Sequence, residues 1–120
     1  MKSSGERVIL LIDDDEVDRE LVQRLISDDF RVEARTTATD GVAALDSWTP
    51  DCILLDYRLP DGDGLEVLQR IHEHTPDLPV VILTRSGNEI VATEALKNGD
   101  SDTGAKILKK IRDSARIERR

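Results

Sequence analysis

A chain of 120 residues holds one domain with a proper hydrophobic core and has no room for two. Its 38% hydrophobic and 35% charged residues place it with ordinary globular domains and exclude both a disordered chain and a membrane-spanning array. With 25 acidic residues against 17 basic ones the net charge is -8, which repels nucleic acid, so direct DNA or RNA binding is not expected.

The polar start, Met1 to Gly5, reads as a disordered extension before a single domain over 6–120. It lacks the apolar core of a signal peptide, and no run of about 18 apolar residues follows, so a cytoplasmic location without membrane insertion is expected. Val8-Ile9-Leu10-Leu11-Ile12 is a continuous, β-branched-rich run, as a parallel strand buried on both faces requires. Val17, Leu21, Leu25 and Ile26 share a helical face. Phe30-Arg31-Val32-Glu33-Ala34 alternates like an edge strand, and Val42 with Leu45 marks a second helix. Pro50-Asp51 precedes the third run, Cys52-Ile53-Leu54-Leu55, whose lone cysteine reads as a small buried hydrophobe with no disulfide to form. Leu65, Leu68 and Ile71 mark a third helix, and Pro79 opens the fourth run, Val80-Val81-Ile82-Leu83. Ile90, Val91 and Leu96 read as a fourth helix capped by Gly99. Beyond it no apolar run fills a fifth strand, which is expected to be weak or shortened within 100–106. Ile107, Leu108, Ile111 and Ala115 share the face of a last helix, whose arginine-rich end suits a helix C-terminus.

Strand and helix alternate throughout, so an α/β fold follows: a doubly wound, flavodoxin-like (βα)5 sheet with strand order 2-1-3-4-5. Ligands bind such sheets beyond the carboxyl ends of the strands. Here those ends carry Asp13-Asp14-Asp15, Asp56 and Thr84-Arg85-Ser86. Asp13, Asp14 and Asp56 would meet in one cleft, where two unit charges about 4 Å apart repel by roughly 4 kcal/mol at an effective dielectric near 20. A hard divalent cation offsets this, and Mg²⁺, which takes one or two carboxylates and keeps several waters, suits the site. Asp13 to Asp15 read alone would equally make a helix N-cap with an acidic first turn. Asp56, ending a continuous apolar strand, needs a partner and argues for the metal.

Ile9-Leu10-Leu11-Ile12-Asp13-Asp14-Asp15, Pro50-Asp51-Cys52-Ile53-Leu54-Leu55-Asp56, Leu59-Pro60-Asp61-Gly62-Asp63-Gly64 and Pro79-Val80-Val81-Ile82-Leu83-Thr84 together resemble the response-regulator receiver domains of two-component signalling, over roughly Val8 to Gly99. The resemblance implies a phosphoryl-accepting switch, with at most self-catalysed phosphorylation and dephosphorylation rather than turnover of a substrate. Asp56 would take the phosphoryl group from a sensor histidine kinase or a phosphotransfer protein. Asp14 would ligate Mg²⁺ directly and Asp13 chiefly through water, with Asp56 and the backbone carbonyl of Arg58 completing the protein ligands. Thr84 would bond the new phosphate and shift the face made by the fourth helix and fifth strand.

The chain departs from the family near its end. Aligned without gaps from Gly99, Lys106 falls on the family's phosphate-contacting lysine, but Ile107 stands for its proline and Thr103 for its aromatic switch residue. In a second register 104–119 is all helix and that lysine has no counterpart. Arg85 replaces a residue that is usually small. Two other readings stand beside the switch. A degenerate receiver would bind partners without phosphorylation, and a haloacid-dehalogenase-like phosphatase would use Asp13 as nucleophile and Asp15 as general acid, with no role for Asp56. His72, His74, Trp48 and Tyr57 carry no chemistry in any of these. An effector domain following the arginine-rich end, or a homodimer, is compatible with the chain.

Overall fold

Leu10, Ile12, Ile53, Leu55, Val80 and Ile82 line one face of a sheet, and Ile9, Leu11, Cys52, Leu54, Val81 and Leu83 line the other. That is the two-residue period of extended chain, expressed in three adjacent strands with apolar side chains on both sides. The computed structural model describes residues 6–86, 89–94 and 102–118. The extension expected at 1–5 and the cap expected at Gly99 lie outside the described residues.

Elements run in the order β1 (Arg7–Ile12), α1 (Glu16–Ile26), β2 (Phe30–Arg35), α2 (Ala38–Ala44), β3 (Cys52–Asp56), β4 (Arg58–Leu59), β5 (Gly62–Asp63), α3 (Gly64–His74), β6 (Val80–Ser86), β7 (Glu89–Glu94) and α4 (Asp102–Glu118). The main sheet has the order β2-β1-β3-β6-β7. With the two-residue strands β4 and β5 set aside as a separate hairpin, this is the expected order 2-1-3-4-5 of a flavodoxin-like α/β fold. β1 pairs parallel with β2 and β3, and β3 pairs parallel with β6.

The helices cover both faces. Val42 from α2 and Val67 and Ile71 from α3 join one core, and Val22 and Ile26 from α1 with Ile107 and Ile111 from α4 join the other. Burial of each such side chain contributes about 1.5–3 kcal/mol. Gly41 lets α2 lie close on the sheet, since a Cβ there would come within 2.8 Å of Ile12 Cγ1. The inward face of α1 is rotated from the one read in the sequence: Val17 is 69% exposed and Val22 takes the core position, with Leu25 packed at its edge. In α3 likewise Leu65 is exposed and Val67 is buried.

The end of the repeat differs from expectation. Residues 89–94 form not a helix but β7, antiparallel to β6 from Ser86↔Glu89 to Val81↔Glu94. The fifth strand is therefore full length, reversed in direction, and located before 95 rather than within 100–106, where Asp102 onward is already helical. The sequence signal for this lay in Gly87-Asn88: two residues of that type between β-branched runs are a hairpin connection. No helix among the described residues is long and apolar enough to cross a membrane.

Candidate functional site

β1 and β3 are adjacent and parallel, with Ile12 opposite Leu55, so the residues that follow each pair emerge side by side at the carboxyl edge. Asp13 and Asp14 leave β1, and Asp56 ends β3. Each offers a carboxylate oxygen, and these oxygens lie within 4.8 Å of one another. β6 lies beyond β3, with Leu83 opposite Asp56, and brings Thr84 to the same edge. The open cleft, about 870 Å³, is lined by Asp14, Asp15, Glu16, Asp18, Asp56, Tyr57, Arg58 and Thr84. It has room for a phosphoryl group and a hydrated ion, and the cluster of hard oxygen donors suits Mg²⁺.

Local backbone bonds hold the acids. The Asp13 N–H donates to Arg35 O at 3.0 Å, its Oδ1 accepts from Asp15 N at 2.9 Å, and its carbonyl accepts from the Arg19 guanidinium at 2.9 Å. Asp13 is 2% exposed, and burial, reinforced by Asp56 and Asp14 nearby, pushes its carboxyl up to about 6. Burial also raises Asp56, although the Arg58 N–H, 3.2 Å from Oδ1, opposes the shift. Burial and mutual repulsion thus disfavour the ionised form of both Asp13 and Asp56, and a hard cation held between the carboxylates would offset that cost. Asp15 is different: its carboxylate accepts from the N–H groups of Val17 and Asp18 and caps α1. The helix-cap reading thus holds for Asp15, while Asp13 and Asp14 belong to the cluster.

A small hairpin follows β3. Arg58 pairs with Asp63 and Leu59 with Gly62, and the Gly64 N–H donates to Tyr57 O at 2.6 Å. Gly64 is needed here because a Cβ would stand 3.1 Å from Tyr57 Cα. Tyr57, given no chemistry in the sequence reading, rests on one core and also lines the cleft. The motif Leu59 to Gly64 by itself gives Asp61 no role. In the fold it reaches the start of α2, accepting from Ala38 N at 2.8 Å, Thr39 N at 2.9 Å and Thr39 Oγ1 at 2.7 Å. These bonds hold its carboxyl down at about 2. A long-range cap of this kind leaves no periodic trace in a sequence.

The structure does not bring Lys106 to the cleft. It is exposed on α4, between Thr103, which accepts from Arg7 at 3.2 Å, and Lys110, whose Nζ lies 2.6 Å from Asp29 Oδ2. Arg7 opens β1 and Asp29 precedes β2, so this turn of α4 sits at the amino edge of the sheet, opposite the acids. The second register, with helix through 104, is the one adopted. His74 pairs with Asp46 at 3.4 Å and His72 with Leu78 O at 3.1 Å, both away from the cleft. The side chain of Arg85 is outside the described residues. The phosphatase reading gives no role to Asp56, which stands in one cluster with Asp13 and Asp14.

Known proteins are similar to this chain in sequence and in fold. The photosynthetic apparatus regulatory protein RegA of Rhodobacter capsulatus is 34% identical over 99 residues, which is 82% of this chain and 54% of RegA. The DNA-binding transcriptional regulator NtrC of Proteus hauseri is 37% identical over 78% of this chain and 20% of its own length, and the regulatory protein LuxO of Vibrio cholerae 38% identical over 62% and 16%. The chain thus spans about half or less of the curated relatives it matches. Among solved structures, the signal receiver domain of an HD domain-containing protein from Pseudomonas fluorescens superposes with a TM-score of 0.63 at 27% identity, covering 92% of this chain and 70% of that one. A receiver domain protein from Methanospirillum hungatei shares the fold at a TM-score of 0.62 and 22% identity, over 88% of this chain and 76% of its own. The sequence profile of the response regulator receiver domain matches residues 9–118, and the chain belongs to that family, the receivers of two-component signalling.

Proposed function

We propose that residues 6–120 act as one phosphoryl-accepting receiver in which Asp56 is the acceptor. The observation that carries this reading is the meeting of Asp13, Asp14 and Asp56 at one edge, with Thr84 on the neighbouring strand. Asp13, Asp14, the Asp56 carboxylate and the Arg58 carbonyl would hold Mg²⁺. When bound, the ion supplies neutralising charge for the carboxylates and for phosphoryl oxygens. Asp56 attacks phosphorus in line: a P–O bond forms as the P–N bond of a phosphohistidine breaks, and the imidazole leaves to take up a proton from solvent. The Arg58 N–H fixes Asp56 Oδ1 and so orients the other oxygen for attack. Thr84 Oγ1 donates to the transferred group. The partner is a sensor histidine kinase or a phosphotransfer protein, and the setting is cytoplasmic. Output passes through an effector domain or through association of the switched face.

Incubation with a small phosphodonor and Mg²⁺, followed by intact mass, is expected to show one added phosphoryl group that Asp56→Asn abolishes. An unmodified parent chain, folded and unable to bind Mg²⁺, would overturn the reading. One observation favours a second reading, a receiver that binds partners without phosphorylation: Lys106 lies at the far edge, and Arg58 is the one cationic residue among the described lining residues. The same mass measurement separates the two.

A further inference from the structure

The loop after the acceptor strand is held by a side chain distant from the acids. Asp61 forms the tip of the β4–β5 hairpin, and its two oxygens take the first free N–H groups of α2 and the Thr39 hydroxyl. Thr37 caps the same helix through Asp40 N, so the opening of α2 is satisfied from within and from the β4–β5 hairpin. Two residues earlier Arg35 O receives the Asp13 N–H. The segment 35–39 is therefore tied to both sides of the acid cluster: to Asp13 through its backbone, and to the hairpin bearing Arg58 through Asp61. The hairpin itself is short and closed at its base by Gly64 N on Tyr57 O, so displacement at its tip is carried to Arg58.

We propose that Asp61 is a positioning residue that sets the Arg58 backbone against Asp56 and thereby tunes the affinity of the acid cluster for Mg²⁺. The proposal rests on the acceptor reading above and deepens it. Asp61 is exposed and lies outside both the acid cluster and the cleft lining, and its role is to fix the distance between the two halves of the cradle. Groups that orient ligands from outside the coordination sphere commonly change metal affinity 10–100-fold when removed.

The test uses the whole chain with Asp61→Asn, Asp61→Glu and Thr39→Val. Asn keeps the shape but turns an amide towards an N–H donor, so the grip on α2 opens. Titration with MgCl₂ followed by calorimetry is expected to show Asp61→Asn binding roughly tenfold more weakly, with Thr39→Val intermediate and Asp61→Glu partly restored. Amide exchange at Ala38 and Thr39 should speed up, and the initial rate of modification by a small phosphodonor should fall at limiting Mg²⁺ and recover at saturation. Unchanged Mg²⁺ affinity in Asp61→Asn, alongside lower stability to urea, would overturn the proposal and leave a plain helix cap. A parent chain that binds Mg²⁺ but takes no phosphoryl group would overturn the acceptor reading instead, and the Mg²⁺ affinities would still decide the role of Asp61.

Discussion

The two outer strands of the sheet are attached by opposite means. β2 lies parallel to β1, and the helix α1 crosses between them; β7 lies antiparallel to β6, with only residues 87–88 between the two strands. Direction decides what each edge gives the site. A parallel strand delivers its carboxyl end to the edge where β1 and β3 end, so the exit of β2 supplies Arg35 O to Asp13 and the start of α2 to Asp61. An antiparallel strand ends at the other edge: Glu94 stands opposite Val81, near the beginning of β6. The helix that follows is then anchored beside Arg7 and Asp29, and Lys110 makes its ion pair at the amino edge. Reversing one strand removes a whole segment from the cleft without disturbing the core.

Ile107 is fully buried in the core that holds Val22, Ile26, Ile9, Leu11, Leu54 and Val81. Ile107→Ala is expected to lower stability by about 2–5 kcal/mol in urea unfolding, with Mg²⁺ affinity of the folded protein unchanged. A loss of Mg²⁺ binding would mean that α4 reaches the cleft after all.

A pH series addresses the other edge. Burial pushes the Asp13 carboxyl up to about 6 from an ordinary 3.8, so between those pH values the native state holds a proton that the unfolded chain has released. Its contribution to stability is complete below 3.8 and lost as pH rises to about 6 in metal-free buffer. Mg²⁺ must displace that proton, so affinity measured by calorimetry should weaken up to about tenfold per unit below pH 6 and level off above it. A flat profile between pH 5 and 7 would remove Asp13 from the cradle. Asp61, held down at about 2, works in the opposite sense and in a lower window, losing its contribution as pH falls from 3.8 towards 2.

The smallest effect belongs to Lys106. Lys106→Ala is expected to change phosphorylation and dephosphorylation rates by less than about twofold, the scale of an exposed substitution outside a site. A tenfold change would show that the amino-edge placement of this helix is not the one that reacts.

Much of this was legible in the residues. Apolar runs that fill both faces of a sheet have no polar stripe and stand out at once, as Val8 to Ile12 and Cys52 to Leu55 do. The acid cluster followed from strand order alone, because adjacent parallel strands carry their terminal residues to one edge. Glu89 to Glu94 was harder: Ile90, Val91 and Thr93 suit a strand, Ala92 and the flanking glutamates suit a helix, and six residues are too few for either period to assert itself. Position in a βα repeat argued for a helix, and pairing with β6 decided for a strand. Asp61 was invisible for another reason. Its partners are 22 and 23 positions away, and turn composition around Pro60 and Gly62 accounts for an aspartate without them.

The hairpin return of β7 also bears on how the chain folds. Pairing β1 with β3 or β3 with β6 brings together segments tens of residues apart and must await the closure of long loops. The β6–β7 pair closes a loop of two residues, a step on the scale of microseconds for isolated hairpins. This edge can therefore form early, as a local unit, and present β6 as a prepared ladder for β3 to join. It can also reopen alone, so its amides should exchange at a lower free energy than those of the three central strands.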